Sequence, residues 1–455
     1  MNPKKVLFIA YHFPPDTAVG AIRPAKFVKY LRQLGWESII LTIRQEHIPL
    51  SDFGRLKDVE HVPIVRTRVW PTILQLALRV RDACMRNAQT GGEDTPASST
   101  VNPQGDAVRR GAPSKKTAFL TKYLDSLVEI PDKQIGWLIP AVWKAYWLVK
   151  KYDIRLVITS SPPQTTALVG LALSYLTEIS LFTDLRDPWF RPIGGSIASQ
   201  TWISNGIMGW LEKKIMERST RVITTTEKYH SYLRSFYVDL PESKFHIIWN
   251  GYDEEDFRAL EAIQPNVKFT VSYLGTFYFG RSPKSFLHAL SELVKEREMD
   301  KSRLEVRFIG DVYYAEGESV EDLVRFYELS GCVKISDSVP YKDALMAMKQ
   351  SSMLLLFAPD QYYCIPAKAF EYLGSRRYIL CFSKDGATAD LVRKTGSGTG
   401  VEPDDIQQIK SAILRFYAEY KQGPTNNSKS EIIKFERKAL TASLSQLLEA
   451  SISAS

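Results

Sequence analysis

Apolar, strand-like runs alternate with helix-like segments along most of the chain, and they form two successive series. The first series of runs extends from Val6–Ala10 to Phe245–Ile248, and the second from Phe269–Leu274 to Tyr378–Phe382. Between the runs lie segments with helical spacing of apolar residues, such as Arg23–Leu34. Alternating strands and helices are typical of a parallel sheet covered by helices on both faces. The sequence therefore predicts an α/β chain with two Rossmann-like, doubly wound parallel sheets.

The individual runs predict where the elements lie. Gly35 is expected to end the first helix, as a glycine past the last helical residue often does. Strands are predicted at residues 6–10, 37–42, 62–69, 156–159, 180–184, 221–224, 245–248, 269–274, 304–309, 333–335, 353–357 and 378–382, and helices at 23–34, from 164 onwards, at 284–295 and at 341–350.

The 455 residues are enough for two or three domains, and the two series meet between about residues 252 and 268. We expect an N-terminal domain over residues 1–260, a C-terminal domain over 261–425 and a helical tail over 426–455. Residues 89–116 break the pattern because they are rich in Gly, Ser, Thr, Pro and charge. Such a composition cannot bury a core, so a disordered insertion is expected there, with a regulatory segment as the alternative.

The formal net charge is +8, which favours anionic partners such as nucleotides and phospholipid surfaces. No zinc-finger spacing or RNA-recognition motif accompanies this charge, so nucleic acid is not an expected partner. The four cysteines and six histidines form no CxxC or HExxH cluster. Neither a metal site nor a cofactor is therefore predicted.

The sequence contains no uninterrupted apolar stretch of the roughly 18 residues that a membrane span needs. Residues 165–183 come closest, but Glu178 interrupts them. We expect a cytoplasmic protein that contacts the inner face of the plasma membrane peripherally. Residues 73–86 and 137–151 combine basic with large apolar side chains, which suits an anionic membrane surface. Packing on the domain core is the alternative; it is favoured for 137–151 and stays open for 73–86.

A candidate nucleotide site follows the apolar run Met353–Phe357. Pro366 is placed for the first turn of a helix, Lys368 lies in that turn, and Glu371 follows on the same helix face. A helix start attracts an anion, and a carboxylate one turn deeper can accept hydrogen bonds from hydroxyls. The segment thus predicts a site for a nucleotide diphosphate with its ribose. The alternative is an ordinary Lys–Glu pair on a surface helix.

Other candidate residues follow other predicted strands, at the edge where parallel sheets bind ligands. Gly20 would let the backbone approach a ligand closely, and Arg23 lies within reach of a phosphate. A local Arg186–Asp187 ion pair without catalytic duty is the alternative for the charged loop before Trp189. The remaining candidates are Ser160, Ser161, Asp184, Arg186 and Asp187 in the first half, and Gly275, Thr276 and Arg281 in the second.

Together these segments resemble glycosyltransferase family 4, whose members have the GT-B fold. Val6–Pro15, continuing through Gly20 to Arg23, is similar to the N-terminal signature of the family. Asn250-Gly251-Tyr252-Asp253 followed by Phe257 is similar to the NGxDxxxF segment at its domain junction. Pro366-x-Lys368-x-x-Glu371 and Arg186-Asp187-x-Trp189 resemble the branch that makes bacterial cell-surface polysaccharides. The resemblance covers nearly the whole chain except residues 89–116.

The resemblance implies transfer of a sugar from a nucleotide-diphosphate sugar to an acceptor hydroxyl, with retention and without a metal ion. The acceptor would be a glycan or a lipid-linked saccharide. Asp184 and Asp187 are the carboxylates available for a double displacement, and front-face departure assisted by the leaving phosphate is favoured over it. The ribose would be bound by Glu371. The diphosphate would be bound by Lys368, Arg281, Gly275 with Thr276, and the helix start at Ile365 and Pro366. The acceptor would bind near Gly20, Ser160, Ser161 and Asp187.

One position departs from the family pattern. Many members carry a Glu-x7-Glu pair whose second glutamate corresponds to Glu371, and the first then falls at Tyr363. The contact to the donor sugar would have to come from Tyr363 itself or from backbone N–H groups of the loop. Two other functions stay open: a sugar-nucleotide 2-epimerase, which shares the two-sheet architecture, and a catalytically silent scaffold.

Overall fold

The computed structural model describes residues 4–72, 130–189, 201–260, 262–263, 266–277, 280–359, 361–422 and 429–453. The stretch 73–86 and the insertion 89–116 lie outside these residues. Two parallel sheets of seven and six strands form within the described part of the chain, with helices on both faces of each. The predicted fold class is confirmed.

The first sheet has the strand order β3-β2-β1-β4-β5-β6-β7, and all its neighbours are parallel. The sheet therefore grows first to one side of β1 and then to the other, which creates a topological switch point between β1 and β4. Its strands are β1 (Lys4–Ala10), β2 (Trp36–Ile43), β3 (Ile64–Thr67), β4 (Leu156–Ser161), β5 (Ser180–Leu185), β6 (Arg221–Thr224) and β7 (Phe245–Ile247).

The second sheet has the order β12-β9-β8-β13-β14-β15, with its switch point between β8 and β13. A short antiparallel hairpin, β10 with β11, stands apart from it. The strands are β8 (Phe269–Leu274), β9 (Leu304–Ile309), β10 (Tyr314–Ala315), β11 (Glu318–Ser319), β12 (Val333–Ser336), β13 (Met353–Phe357), β14 (Tyr378–Phe382) and β15 (Gly398–Val401).

Helices connect the strands and cover the sheets. In the described residues they are α1 (Ile22–Gln33), α2 (Leu138–Tyr152), α3 (Thr165–Leu176), α4 (Trp202–Arg218), α5 (Glu227–Phe236), α6 (Glu254–Arg258), α7 (Lys284–Lys295), α8 (Val320–Phe326), α9 (Tyr341–Gln350), α10 (Ala367–Ser375), α11 (Ala387–Lys394), α12 (Ile406–Gln422), α13 (Lys429–Ile432) and α14 (Arg437–Ser453).

Strand β1 shows why the apolar runs are continuous. Val6 and Phe8 point to one face of the sheet and pack in a core that includes α1, whereas Leu7 and Ile9 point to the other face and pack against α2 and α3. A strand that is covered on both faces buries every residue, so its sequence shows no polar alternation. Helix α1 then ends where predicted, since Gly35 follows it with a left-handed φ of +82°.

The last helix, α14, returns to the first sheet instead of packing on the second. Leu440, Leu444 and Leu448 are buried in the same core as β1 and α1. The indole N–H of Trp36 donates to Ser445 Oγ at 2.9 Å. The tail thus crosses from the second sheet to the first and ties the two ends of the chain together.

The junction between the sheets is held by the returning tail. Tyr252 N donates to Phe435 O at 3.1 Å, and Arg437 N donates to Tyr252 O at 2.8 Å. A Cβ at position 251 would lie 2.2 Å from Phe435 O, so only glycine permits this approach. The Asn250-Gly251-Tyr252-Asp253 segment is therefore a docking strip for the tail.

Helix α2 presents two different faces. Ala141, Ala145, Leu148 and Val149 are buried against the first sheet, as core packing predicts. The opposite stripe is exposed: Ile139, Trp143 and Trp147 show 62%, 66% and 52% of their surface to solvent. Among the described residues, no helix is both long and apolar enough to span a membrane.

Candidate functional site

A cleft of about 520 Å³ lies between the two sheets, at the carboxyl ends of their strands. Its N-terminal wall is built from the loops after β1 and β4, and its C-terminal wall from the loop after β13 and the start of α10. Both walls coincide with a switch point, where parallel α/β sheets bind ligands. Seven of the sequence-predicted residues line this cleft: Gly20, Arg23, Arg186, Asp187, Ile365, Pro366 and Glu371.

Helix α10 begins directly after Pro366, which takes the N-cap position with φ −55° and ψ 135°. Proline is suited to the position because it has no N–H to leave unpaired and its φ is already fixed. No side chain caps the helix start. The first N–H groups of α10 therefore point, with the positive end of the helix dipole, towards the cleft.

Lys368 lies in the first turn of α10, beside Gly275 at the end of β8. Its ammonium is 3.2 Å from the hydroxyl of Tyr273 and 4.4 Å from the centroid of that ring. A Cβ at position 275 would lie 2.1 Å from Lys368 Nζ, and Gly275 has a φ of +139°, so glycine is required there on two grounds. Burial, with the nearby Arg281 cation, lowers the pKa of Lys368 to about 8. The structure thus brings together Gly275, Arg281 and Lys368. Thr276 adjoins them, and its carbonyl accepts the Tyr273 hydroxyl at 2.7 Å.

Glu371 lies one turn further along α10 and lines the cleft, half-buried. Burial raises the pKa of its carboxyl to about 7; Arg437 lowers that pKa, Asp256 raises it, and Lys368 lowers it. Tyr341, at the start of α9, stands beside it and donates its hydroxyl to Asp256 Oδ2 at 3.3 Å. The carboxylate therefore faces the cleft in a setting where its charge state changes near neutral pH.

Arg23 is fully engaged inside the N-terminal domain. Its Nε and Nη2 donate to the carboxylate of Asp184 at 2.8–3.2 Å, and its Nη1 and Nη2 also donate to the carbonyls of Trp249 and Ile248. Ser160 Oγ donates to the same Asp184 carboxylate at 2.9 Å. Arg23, Ser160 and Asp184 thus form a buried network beneath the cleft that ties α1 to the domain junction.

Arg186 is used in a similar way. Its three guanidinium nitrogens donate to backbone carbonyls of Ser161, Gly20 and Pro162 at 2.9, 2.9 and 2.5 Å. Gly20 makes room for it, because a Cβ there would lie 2.9 Å from Arg186 Nη1. Arg186 therefore holds the loops after β1 and β4 together. Ser161 is buried below the cleft, and Asp187 is exposed at its edge.

Tyr363 lies away from the lining of the cleft. Its ring packs on Tyr232 of α5 with centroids 4.7 Å apart, and its carbonyl accepts Thr226 Oγ1 at 2.5 Å. The residue at the position of the missing glutamate thus contacts the N-terminal domain. Gln361 and Ile365, on either side of it, line the cleft.

Sequence reasoning did not single out several residues that line the cleft. His12 pairs with Asp16 at 2.6 Å, and the spacing of four residues in the loop after β1 was the available signal. Asp132 accepts Thr165 N and Oγ1 at 2.9 and 2.6 Å and so caps α3. Arg437 comes from the tail. Nothing local in the sequence marks Asp132 or Arg437, because both reach the cleft only through long-range packing.

Comparison with known proteins bears on the fold and the family. Residues 107–256 match Glycosyltransferase Family 4. Sucrose-phosphate synthase from Thermosynechococcus elongatus superposes with a TM-score of 0.63 at 16% identity, covering 99% of this chain and 100% of that one. The chain has the GT-B fold. Over residues 107–256 the predicted resemblance to family 4 glycosyltransferases is confirmed.

Two further GT-B-like structures were solved with nucleotide-sugars. Alr3699/HepE from Anabaena, in complex with UDP-glucose, has a TM-score of 0.59 at 13% identity and covers 98% of this chain and 99% of that one. UDP-GlcNAc 2-epimerase from Neisseria meningitidis, bound to UDP-GlcNAc, has a TM-score of 0.54 at 12% identity, with 98% and 100% covered. At these identities the likeness shows the GT-B architecture alone. No curated protein sequence matches the chain.

Proposed function

We propose that this protein transfers a sugar from a nucleotide-diphosphate sugar to a hydroxyl of a glycan or lipid-linked saccharide, with retention, in the synthesis of cell-surface polysaccharide or glycolipid. The observation that carries the proposal is the start of α10, whose uncapped first turn lines the cleft at Pro366 and Ala367 and carries Lys368, with Glu371 lining the cleft one turn further on. Structures with UDP-glucose or UDP in the same fold support a nucleotide-sugar donor.

The donor binds mainly to the C-terminal wall. Its diphosphate lies against the N–H groups that follow Ile365 and Pro366 and against the cluster of Lys368, Gly275, Thr276 and Arg281. These cations and the helix dipole neutralise the charge that develops on the leaving diphosphate, which is electrostatic catalysis without need of a metal ion. Glu371 accepts hydrogen bonds from the ribose hydroxyls. Lys368 and Glu371 are thus the proposed catalytic residues of this wall.

The acceptor binds against the N-terminal wall, with Gly20 on one side and Asp187 on the other. Arg23, Ser160, Ser161, Asp184 and Arg186 support this wall from beneath through the network described above. Asp187 orients the acceptor hydroxyl. The acceptor oxygen bonds to the anomeric carbon on the face from which the diphosphate departs, and a diphosphate oxygen takes the hydroxyl proton. Front-face departure accounts for retention without a carboxylate nucleophile.

Thermal unfolding in the presence of nucleotides and nucleotide-sugars, with and without magnesium, tests the proposal. A ligand that binds only the folded protein stabilises it by RT ln(1 + [L]/Kd), about 2.7 kcal/mol at a hundredfold excess over Kd. We expect one nucleoside diphosphate to raise the midpoint without magnesium, and Glu371→Gln to reduce the shift. No shift with any nucleotide would contradict the donor assignment.

A sugar-nucleotide 2-epimerase is the second candidate, because epimerases have the same architecture. Acidic residues line the cleft, among them Asp132, Asp187 and Asp256, and His12 is the histidine among the described lining residues. A product assay separates the two activities, since a transferase releases nucleoside diphosphate and an epimerase returns an intact nucleotide-sugar. Binding without either product would identify a catalytically silent scaffold.

We further propose that the protein works at the cytoplasmic face of the plasma membrane and touches it through α2. The support is the exposed stripe of Ile139, Trp143 and Trp147. Lys144, Lys150 and Lys151 are exposed on the same helix. An apolar stripe next to basic side chains suits the surface of an anionic bilayer.

A further inference from the structure

Arg437 is the first residue of α14 and comes later in the sequence than every motif described above. Two sets of contacts fix its backbone. Its N–H donates to Tyr252 O at 2.8 Å, and the helix that follows is anchored in the core of the first sheet by Leu440, Leu444 and Leu448. Arg437 therefore lines the cleft from the side of the N-terminal domain.

The guanidinium is buried but not satisfied. Arg437 is only 5% exposed, and its Nη1 has no hydrogen-bond partner. Burial, with the nearby Arg23 cation, lowers its pKa to about 10, so it remains charged at neutral pH. A buried donor without a hydrogen-bond partner is costly and calls for an explanation, and a bound anion is one.

The neighbouring carboxylates of Asp253 and Glu371 lie near this charge but leave Nη1 without a hydrogen bond. Asp253 already accepts hydrogen bonds from Lys26, Lys29 and Tyr30 at 2.5–3.0 Å. Glu371 carries only part of a charge near neutral pH because burial raises its pKa to about 7. Arg437 faces these groups together with Tyr341 and Arg23. Asp256, the other carboxylate beside Glu371, already pairs with Lys26 at 3.2 Å, and Nη1 of Arg437 is left without a hydrogen-bond acceptor among the described residues.

Glu371 stands between two cations that belong to different parts of the fold. Lys368 precedes it on α10 and Arg437 faces it from the tail. We propose that Arg437 binds a phosphate oxygen of the ligand in the cleft, which, resting on the proposed function, is the donor diphosphate. The diphosphate then lies between α10 of the C-terminal domain and α14, the tail helix that packs on the N-terminal domain. Its negative charge supplies the partner that Nη1 lacks.

The test compares Arg437→Met with Arg437→Lys and with Lys438→Met, a substitution of the exposed neighbouring cation. The probes are inorganic pyrophosphate, the four common nucleoside diphosphates and the corresponding nucleosides, with affinity measured by calorimetry. A charged hydrogen bond contributes enough for its loss to weaken binding about 10- to 100-fold. We expect this loss in Arg437→Met for pyrophosphate and diphosphates, none for nucleosides, partial recovery in Arg437→Lys, and wild-type behaviour in Lys438→Met.

Thermal unfolding of the unliganded variants separates binding from a structural role. Because Nη1 has no partner, Arg437→Met should unfold at the wild-type temperature or above it; a clear drop in the midpoint with unchanged pyrophosphate affinity would overturn the inference. Equal losses for nucleosides and diphosphates, or no pyrophosphate binding by the wild type, would overturn it too. If the wild type binds pyrophosphate through Arg437 but no nucleotide, the proposed function fails and the anion site stands.

Discussion

At the scale of residues, Lys368 and Glu371 lie one turn apart and their pKa values are shifted towards each other. Burial lowers the pKa of Lys368 to about 8 and raises that of Glu371 to about 7. Lys368 is therefore cationic below about pH 8, and Glu371 is anionic above about pH 7. The two charge states that the proposed diphosphate site uses coexist to the greatest extent between these values.

We expect the affinity for a nucleoside diphosphate to be highest between about pH 7 and 8. Above this range Lys368 loses its proton and affinity falls by up to about tenfold per pH unit; below it Glu371 is protonated and accepts ribose hydroxyls less well. Calorimetry from pH 6 to 9.5 measures how the affinity falls on both sides of this range. In Lys368→Met the fall in affinity above pH 8 should disappear, and in Glu371→Gln the fall below pH 7 should disappear. A wild-type profile that both variants retain would show that the ligand's own titration causes it.

Gly251 gives a residue-scale prediction about stability. Gly251→Ala places a Cβ 2.2 Å from Phe435 O, so the tail must shift, and overpacking of this kind costs about 1–3 kcal/mol. Gly206→Ala is the matched control, because Gly206 lies within α4 with no atom within 4 Å of its would-be Cβ. That change should stabilise by about 0.5–1 kcal/mol. Thermal unfolding midpoints that move down for the first variant and up for the second confirm the docking of the tail.

The contrast between α10 and Arg23 shows which site residues sequence can reveal. Lys368 and Glu371 are three residues apart, so helical spacing alone places them on one face, and Pro366 marks where their helix begins. The partner of Arg23 is Asp184, 161 positions away, and its other acceptors lie at the domain junction. The sequence predicts that Arg23 is near the site, but only packing shows that its donors are already used.

At the scale of elements, the strands were predictable because a strand covered on both faces needs an unbroken apolar run. Phe269–Leu274, Met353–Phe357 and Tyr378–Phe382 have the predicted bounds in the structure. The packing partner of α14 could not be predicted in this way. Its apolar residues indicate a helix with one buried face, but only the structure shows that this face packs on the first sheet after the tail crosses from the second.

Helix α2 gives an element-scale prediction. Trp143→Ser combined with Trp147→Ser should weaken binding to vesicles of anionic phospholipid at least about tenfold, since both indoles enter the interface. Phe326→Ser is the control, because Phe326 is 76% exposed on α8 of the second domain. Sedimentation with anionic and with zwitterionic vesicles measures the effect. Binding that the double variant retains would remove α2 from the membrane contact.

At the scale of the whole molecule, the domains touch on the side of α5 as well as at the junction. Lys228 lies 3.2 Å from Asp385, Glu227 pairs with Lys394, and Tyr232 packs on Tyr363. The ion pairs are exposed and contribute little. The Tyr232–Tyr363 ring pair and the hydrogen bond from Thr226 Oγ1 to Tyr363 O at 2.5 Å are buried or partly buried contacts between the domains on this side. Tyr363 stands at the position where the resemblance to family 4 implies a glutamate.

Tyr363 accordingly has two possible duties, and two variants separate them. An aromatic pair contributes about 0.5–1.5 kcal/mol, so Tyr363→Ala should shift the balance towards an open form about two- to tenfold and raise the radius of gyration measured by X-ray scattering. Tyr363→Phe keeps the ring and should scatter like the wild type. If the hydroxyl instead contacts the donor sugar, Tyr363→Phe will weaken the binding of a nucleotide-sugar but not of the nucleoside diphosphate. X-ray scattering thus reports whether the Tyr363 ring holds the domains together, and nucleotide-sugar affinity reports whether its hydroxyl contacts the sugar.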